Sequence, residues 1–203
     1  MIRDRLIAKL CRSTRGRRGD HDLNPGWPPA NGQDLANLRH AAVLVLIIDR
    51  PEGLTVLFTR RTEHLVHHPG QISFPGGRVE REDASLEDTA LRETEEEIGL
   101  GRELVEIIGR LDTYITRTGF EITPYVGMAT PPLVLIPDPQ EVAEIFEVPL
   151  AFLCDPENRE RHSREVFGRT RNFYALPYGD YYIWGATAGM LVNLAMRLGG
   201  EAS

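Results

Sequence analysis

Three glutamates with helical spacing are the residues of this sequence best suited to chemistry. Glu93, Glu96 and Glu97 lie at positions i, i+3 and i+4, so on an α-helix their side chains share an arc of about 100°. Like charges at this spacing repel one another, and a cation is expected to compensate them. Their hard oxygen ligands suit Mg²⁺ or Mn²⁺, which can neutralise a pyrophosphate and acidify a bound water, while a spare carboxylate accepts the proton. The alternative is a solvated helix face on which Arg92 pairs with Glu96.

A helix over residues 85–98 is expected to position these glutamates. Ser85 is a suitable N-cap residue, Asp88 follows as in a capping box, and Gly99 is a typical stop signal. Glu95 points away from the acidic face toward solvent. The arc expected to pack on the core consists of Ala90, Leu91, Thr94 and Ile98.

The rest of the pattern indicates short strands with few helices. Strands are predicted at 41–48, 55–59, 72–74, about 105–115, 121–129, 142–148 and 181–183, and further helices at 149–154 and 185–198. This composition indicates an α/β (α+β) protein with helices packed on a mixed sheet. The length of 203 residues favours one domain, which we place at 39–203 after a basic, partly irregular lead-in segment at 1–38.

Composition limits the functional classes. The chain has 23 basic and 30 acidic residues, a formal charge of −7, so nucleic acid is not an expected partner. The longest apolar run, 41–48, is far shorter than the roughly 20 residues that cross a bilayer, so no membrane span is expected. Two distant cysteines fit a reducing cytoplasm. The seven basic residues within 3–18 form a basic arm. This arm could be a solvated segment, bind an anionic partner or resemble a mitochondrial presequence. Asp4, Asp20 and Asp22 argue against a presequence.

The stretch from Gly77 to Leu100 resembles the Nudix box, G-x5-E-x7-R-E-U-x-E-E-x-G-U. Asp83 stands at the first glutamate with one extra residue before Arg92, and Thr94 stands at an aliphatic position. The extra residue is similar to the variant box of coenzyme A pyrophosphatases in the Nudix family. Other stretches that are similar to this subfamily lie at 57–62, 70–77, 123–127, 141–150 and 183–190, so the resemblance covers roughly 40–198.

The resemblance implies a Nudix-type α/β/α sandwich with a central mixed β-sheet and a Mg²⁺ or Mn²⁺ cofactor. Its metal ligands would be Glu93, Glu96 and Glu97, one of which could instead serve as the base. Arg92 would orient the acidic residues through hydrogen bonds. Gly76 and Gly77 would form the tight turn that brings backbone near the metal, and their alternative is a plain turn after a strand.

Further candidates lie outside the box. Many Nudix enzymes draw another acid from a separate loop, and Glu141 or Glu144 could supply it, unless they are surface acids beside an edge strand. Arg60 and Arg61 could clamp substrate phosphate, but adjacent strand residues face opposite sides, so at most one should reach the site. Three histidines before Gly70 could contact phosphate or are ordinary loop residues, namely His64, His67 and His68.

The function implied by the subfamily is hydrolysis of coenzyme A, or an acyl derivative, to 3′,5′-ADP and 4′-phosphopantetheine. A second reading keeps the chemistry but takes ADP-ribose, NADH or another nucleoside diphosphate derivative. A third is a non-catalytic nucleotide-binding sensor, which would not need three facing carboxylates. Val66 stands where the coenzyme A signature usually has an arginine, and an aliphatic side chain cannot donate charge-assisted hydrogen bonds to a phosphate. The partner is a small-molecule nucleotide, and a homodimer is left open.

Overall fold

The architecture comes from a computed structural model that describes residues 2–10, 16–26, 37–65, 68–166 and 168–199. The helices are α1 (Ile2–Leu10), α2 (Leu86–Ile98), α3 (Leu150–Cys154) and α4 (Ala186–Arg197), with short 3-10 helices at Arg102–Leu104 and Pro156–Asn158. The strands are β1 (Arg17–Gly19), β2 (Arg39–Arg50), β3 (Gly53–Arg61), β4 (Ile72–Ser73), β5 (Gly76–Arg78), β6 (Glu106–Arg110), β7 (Thr113–Ile115), β8 (Phe120–Ala129), β9 (Val142–Pro149), β10 (Glu160–Val166), β11 (Arg169–Tyr178) and β12 (Tyr181–Trp184). In the described ranges, no helix is both long and apolar enough to span a bilayer.

Strand β2 lies at the centre of the main sheet because its apolar run is buried on both faces. It pairs in parallel with β8 and antiparallel with β3 and β5. Its even-numbered residues, including Leu44 and Leu46, pack with Ala90 and Ile98 of α2. Its odd-numbered residues belong to a second core with α1, α3 and α4. A continuous run buried between two helical layers is typical of a central strand.

The sheet order is β1-β7-β8-β2-β3-β4, with β5 also paired to β2, β6 to β8 and β9 to β3. Both parallel and antiparallel pairs occur, since β1–β7 and β2–β8 are parallel and the other pairs are antiparallel. Helix α2 covers one face, and α1, α3 and α4 cover the other. The predicted fold class, helices on both faces of a central mixed sheet, is confirmed.

A second sheet has three strands in the order β10-β11-β12. The sequence predicts only its last strand, because β10 (Glu160–Val166) is polar along its length and almost entirely exposed. An exposed strand has no alternation of apolar and polar residues, so periodicity does not reveal it. The strand expected at about 105–115 is two strands, β6 and β7, which are separated at Leu111 and Asp112.

The described part of the segment at 1–38 is more ordered than the irregular lead-in expected from its composition. Leu6 and Leu10, spaced i and i+4 on α1, are buried in the core with the other helices. Strand β1 adds to the edge of the main sheet beside β7. The basic residues around the two leucines obscure this short apolar face in the sequence. The division at residue 39 as a domain boundary stays a prediction.

Candidate active site

Helix α2 begins and ends at the capping residues that its sequence predicts. The Ser85 hydroxyl accepts a hydrogen bond from the Asp88 backbone N–H at 3.1 Å, which satisfies one free donor of the first turn. Gly99 follows the last turn in the left-handed conformation, with φ of 69°, and its N–H donates to the Glu95 carbonyl. These two ends fix the register of the helix.

The buried face of α2 also lies where the periodicity places it. Ala90 and Ile98 are fully buried. Thr94, at the aliphatic position of the box, is buried too, and its hydroxyl donates to the Ala90 carbonyl at 2.7 Å, so the extra polar group has a partner. Glu95 is exposed and pairs with Arg102 at 3.1 Å on the surface. The predicted phase of the helix is therefore confirmed at these positions.

Gly76 and Gly77 lie in the short strand β5 rather than in a free turn. They pair antiparallel with Val43 and Ala42 of β2. Gly76 has φ of 147°, and a Cβ there would lie 2.6 Å from the Val43 Cα, so a side chain would be strained and would clash. A Cβ at Gly77 would overlap the Glu93 carboxylate. The two glycines therefore allow the backbone to approach the acidic face of α2.

The Glu97 carboxylate is buried beside this strand, with only 5% of the residue exposed. One oxygen accepts a hydrogen bond from the Gly76 N–H at 3.3 Å, and the other lies 3.7 Å from an Arg61 nitrogen. Burial raises the pKa of Glu97 to about 8; Arg61 and the Gly76 N–H oppose this rise, and the charges of Glu93 and Glu141 add to it. The carboxylate is therefore held with little compensation for its charge.

Glu93 lies one helical turn before Glu97 and is partly buried, with 17% of its side chain exposed. Burial raises its pKa, the neighbouring Arg92 lowers it, and the charges of Glu96 and Glu141 raise it further. The charge of Glu141 raises the pKa of both Glu93 and Glu97. We therefore call Glu93, Glu97 and Glu141 the acidic cluster.

Arg92 connects the start of the helix to its acidic face. Its Nε and Nη2 donate to the two carboxylate oxygens of Asp83 at 2.8 and 3.1 Å, and Nη2 also donates to the Arg78 carbonyl at 3.1 Å. This hydrogen bonding lowers the pKa of Asp83, which further accepts from the Glu80 N–H and the Thr89 hydroxyl. Asp83, with 1% of its side chain exposed, thus has several partners that hold the loop before α2.

Glu96 faces Arg92 rather than the buried carboxylate of Glu97. One of its oxygens accepts from Arg92 Nη1 at 2.9 Å, and 59% of its side chain is exposed. Among the residues that the structure describes, no three acidic, histidine or cysteine side chains are gathered as a group that could hold a metal. The three box glutamates therefore share a helix face, as their spacing predicts, but their carboxylates do not meet at one point.

The two adjacent arginines of β3 go to different places. Arg61 lies between two members of the acidic cluster, with 3.7 Å separating its nitrogens from the Glu97 and from the Glu141 carboxylate. Arg60 instead pairs with Glu144 at 2.8 Å, and Glu144 also accepts from the Tyr181 hydroxyl at 2.7 Å. Of the two candidate acids outside the box, Glu141 therefore lies at the cluster and Glu144 is bound elsewhere.

Backbone contacts place Glu141 next to the end of α2. The Asp138 N–H donates to the Glu97 carbonyl at 2.9 Å, and the Glu141 N–H donates to the Asp138 carbonyl at 3.1 Å. On its other side, the Thr62 N–H donates to the Glu141 carbonyl at 3.0 Å. The contacts of this segment with Glu97 and Thr62 join residues far apart in the sequence and carry no local signal, so the sequence offers Glu141 and Glu144 equally.

The histidine-containing loop after β3 borders the same region. His64 lies 3.5 Å from the Thr62 hydroxyl, and His68 adopts a positive φ of 57°. Val66 and His67 lie outside the described residues, so the two expectations that rest on them stay predictions. No contact joins His64 or His68 to a carboxylate of the acidic cluster in the part of the chain that the structure describes.

The chemistry of these residues suits a divalent cation of the hard type, although the described carboxylates are not gathered at one point. The donor set is made of carboxylate oxygens, which Mg²⁺ and Mn²⁺ prefer, and two of these carboxylates have raised pKa values because they are buried near like charges. Because Gly77 has no Cβ, the Glu93 carboxylate can lie directly against the β5 backbone, where a Cβ would overlap it. Arg61 offsets the negative charge of Glu97 only in part, and a cation bound here would offset the rest.

Comparison with known proteins agrees with the motif. A family model described as the NUDIX domain matches residues 38–168. A protein from Enterobacter sp. (strain 638) named "Uncharacterized Nudix hydrolase NudL" is 39% identical over 171 residues, covering 84% of this chain and 88% of that protein. A protein of the same name from Yersinia enterocolitica is 38% identical over 170 residues, covering 84% and 87% respectively.

Among solved structures, the chain is similar to a C. elegans Ap4A hydrolase in a binary complex, with 19% identity and a TM-score of 0.48 over 55% of this chain and 80% of that one. It is also similar to a Nudix hydrolase from M. smegmatis named RenU, with 24% identity and a TM-score of 0.46 over 63% and 81%.

Proposed function

This chain belongs to the Nudix family, and from that premise we propose that it is a metal-dependent pyrophosphohydrolase whose substrate is coenzyme A or an acyl derivative. The products would be 3′,5′-ADP and 4′-phosphopantetheine, with the acyl group retained on the latter.

The observation that carries the proposal is the Glu97 carboxylate, which is buried against the Gly76 N–H with its pKa raised to about 8. A buried carboxylate that serves only the fold usually has a full set of hydrogen-bond donors, as Asp83 has. Glu97 has one weak hydrogen bond and a distant arginine. A group that costs folding free energy in this way is expected at a functional site.

Glu93, Glu96 and Glu97 would hold the metal, which when bound supplies charge neutralisation for the pyrophosphate and a more acidic water. Glu96 has one oxygen on Arg92 and an exposed side chain, which would have to turn to join the other two glutamates at a metal. Arg92 orients Glu93 and Glu96 through its hydrogen bonds and is itself fixed by Asp83.

Glu141 and Arg61 complete the proposed site from the opposite side. Glu141 is half-exposed, outside the helix and close to the cluster, so it can accept the proton of the attacking water. Arg61 can move from Glu97 and Glu141 to a pyrophosphate oxygen, since both of its ion-pair distances are 3.7 Å and therefore loose.

The coenzyme A assignment rests on the stretch 57–77, which resembles the coenzyme A pyrophosphatase subfamily. Contacts of this stretch support it as part of the binding site. The Thr62 hydroxyl donates to the Gln140 carbonyl at 3.1 Å, and the Arg61 N–H donates to the Gln71 carbonyl at 3.0 Å. The loop from Thr62 to Gln71 therefore begins beside Glu141 and ends beside Arg61.

The test is a substrate screen with purified protein. Coenzyme A, acetyl-coenzyme A, ADP-ribose, NADH and diadenosine tetraphosphate are each incubated with Mg²⁺, with Mn²⁺ and with EDTA, and products are identified by mass. We expect kcat/KM for coenzyme A to exceed that for ADP-ribose and NADH by tenfold or more, with no turnover in EDTA. A tenfold preference for ADP-ribose or NADH would leave the pyrophosphohydrolase reaction standing and refute the substrate.

A further inference from the structure

A cavity of about 250 Å³ lies between the second sheet and helix α4, and three arginines line it. Arg18 comes from β1, Arg159 directly precedes β10, and Arg161 lies within β10. We call this space the arginine cavity. It has room for a small molecule or ion together with water. No residue of the acidic cluster lines it, so it is separate from the proposed catalytic site.

The backbone explains why two of these arginines face the cavity together. Arg159 is extended, with φ of −99° and ψ of 119°, and β10 begins at the next residue. Residues two apart on an extended chain point to the same face, and their Cα atoms are about 6–7 Å apart. Arg161 lies opposite Tyr174 of β11, in the row of side chains that includes the buried Leu176. Arg159 and Arg161 therefore both point to the inner face of the second sheet.

Neither of these two arginines forms an ion pair with a carboxylate in the part of the chain that the structure describes. The two terminal nitrogens of Arg159 are buried, and no hydrogen-bond acceptor among the described residues meets them. The guanidinium of Arg161 lies over the Tyr174 ring, with 5.9 Å between its Cζ and the ring centroid. Buried polar groups almost always have a partner, so donors of this kind indicate a place for a bound water or ion.

The two aspartates that line the cavity have other partners. Asp20 accepts from the Tyr114 hydroxyl at 3.0 Å and from Arg171, which is not part of the lining, at 3.1 Å. Asp22 lies 3.8 Å from an Arg18 nitrogen, which is too long for a hydrogen bond. The charge of Asp20 is therefore offset from outside the cavity, and Asp22 alone faces three arginines.

Hydrogen bonds hold the walls of the cavity in place. The Asn172 N–H donates to the Asn24 side-chain oxygen at 2.7 Å, and the Asn24 amide donates to the Asn172 carbonyl at 2.9 Å. On α4, the Asn193 amide donates to the Asp112 carboxylate at 2.9 Å, and its oxygen accepts from the Asp112 N–H at 3.0 Å. Asn24 and Asn193 are buried. A ligand would meet walls that are already formed, which lowers the cost of ordering them.

We propose that the arginine cavity binds a small oxyanion, whose phosphate or carboxylate oxygens accept hydrogen bonds from Arg159 and Arg161. The planar forks of guanidinium groups match both kinds of oxyanion. A buried donor without an acceptor costs folding free energy, and the oxygens of the anion remove this cost. The site goes beyond the proposed function and does not rest on it, because none of its residues belongs to the acidic cluster.

Calorimetric titration of inorganic phosphate and of malonate into the metal-free protein tests the site, with sodium chloride keeping the ionic strength constant. Arg159→Met and Arg161→Met keep an apolar stem but remove the guanidinium. The matched control is Arg169→Met, since Arg169 is an exposed arginine on the opposite face of the same sheet. We expect the wild type and the control to bind at least one anion with a Kd of about 1 mM or tighter. Each cavity variant should weaken that binding by about tenfold or more.

The two anions distinguish the group that binds, because tighter binding of phosphate or of malonate assigns a phosphate or a carboxylate ligand. Amide signals in nitrogen-15 NMR spectra then locate the anion. We expect Gly19, Gly185 and Gly189, which line the cavity, to shift on titration, and Gly76 and Gly77 beside the acidic cluster to stay unchanged.

The inference is overturned if the wild type binds neither anion, or if both cavity variants bind as tightly as the wild type. Shifts centred on Gly76 and Gly77 would also overturn it, since the anion would then lie at the acidic cluster. Arg161 is exposed, so Arg161→Met should fold and can test the site even if the loss of the partly buried Arg159 prevents folding.

Discussion

Replacing Glu97 by glutamine should make the metal-free protein more stable at alkaline pH while destroying its activity. The Glu97 carboxyl has its pKa raised from 4.5 to about 8, chiefly by burial. A raised pKa means that the folded state holds a proton that the unfolded state releases. The stabilisation from this proton is therefore complete below pH 4.5 and is lost as the pH rises toward 8.

The size of the effect follows from the linkage between the proton and folding. Each unit of pKa difference corresponds to about 1.4 kcal/mol, so between pH 5.5 and 8 this one group should lower the free energy of unfolding by about 3 kcal/mol. Glutamine has nearly the same shape but does not titrate, so Glu97→Gln should lack this decline. Glu95→Gln, on the exposed side of the same helix, should decline as the wild type does.

Urea unfolding in EDTA at pH 5.5, 6.5, 7.5 and 8 measures these free energies. Adding Mg²⁺ at pH 8 should restore stability to the wild type and to Glu95→Gln but much less to Glu97→Gln, because a ligand that binds only the folded state stabilises it. Parallel pH curves for the wild type and Glu97→Gln would refute the reasoning, since Glu97 would then be a normally titrating carboxylate.

Three other substitutions test parts of the account that do not depend on titration. Asp83→Asn should weaken the buried contact with Arg92 and lower the free energy of unfolding by about 2 kcal/mol or more, as measured by urea unfolding; an unchanged midpoint would contradict it. Gly77→Ala should displace the Glu93 carboxylate and lower kcat by about tenfold with little change in Tm, whereas full activity would show that the close approach is unimportant. Leu10→Ala should cost about 2–4 kcal/mol of stability and leave kcat unchanged, and a neutral effect would mean that α1 does not pack on the core in solution.

The elements with strong local signals could be predicted from the sequence. Helix α2 has a capping residue, a glycine stop and a regular apolar face. Each of these features acts within a few residues, so the sequence alone is enough to predict the bounds of the helix. Strand β2 has an apolar run that only a position between two helical layers explains.

Elements that depend on distant partners could not be predicted. Strand β10 is exposed along nearly all its length and is specified by pairing with β11, and β5 is held by its pairing with β2 rather than by strand-forming residues. Helix α1 buries two leucines among basic residues, and its apolar face is too short to stand out.

The candidate site was predictable in its composition but not in its geometry. Helical spacing places Glu93, Glu96 and Glu97 on one face, yet the orientation of Glu96 depends on Arg92. Backbone contacts with residues far away in the sequence decide which of Glu141 and Glu144 lies at the cluster. The packing of β3 against α2 likewise decides which of its two arginines turns toward that helix.

The central claim is that the buried carboxylate of α2 supports metal-dependent cleavage of a pyrophosphate, and kcat of Glu97→Gln compared with Glu95→Gln tests it most directly. Both variants change one helical glutamate to glutamine, and both are assayed with saturating coenzyme A and Mg²⁺ after far-UV circular dichroism has shown that they are folded. We predict a loss in kcat of about a hundredfold or more for Glu97→Gln and less than about twofold for Glu95→Gln, since electrostatic stabilisation of this kind is worth several kcal/mol. Near-wild-type kcat in Glu97→Gln, or equal losses in the two variants, would contradict the account.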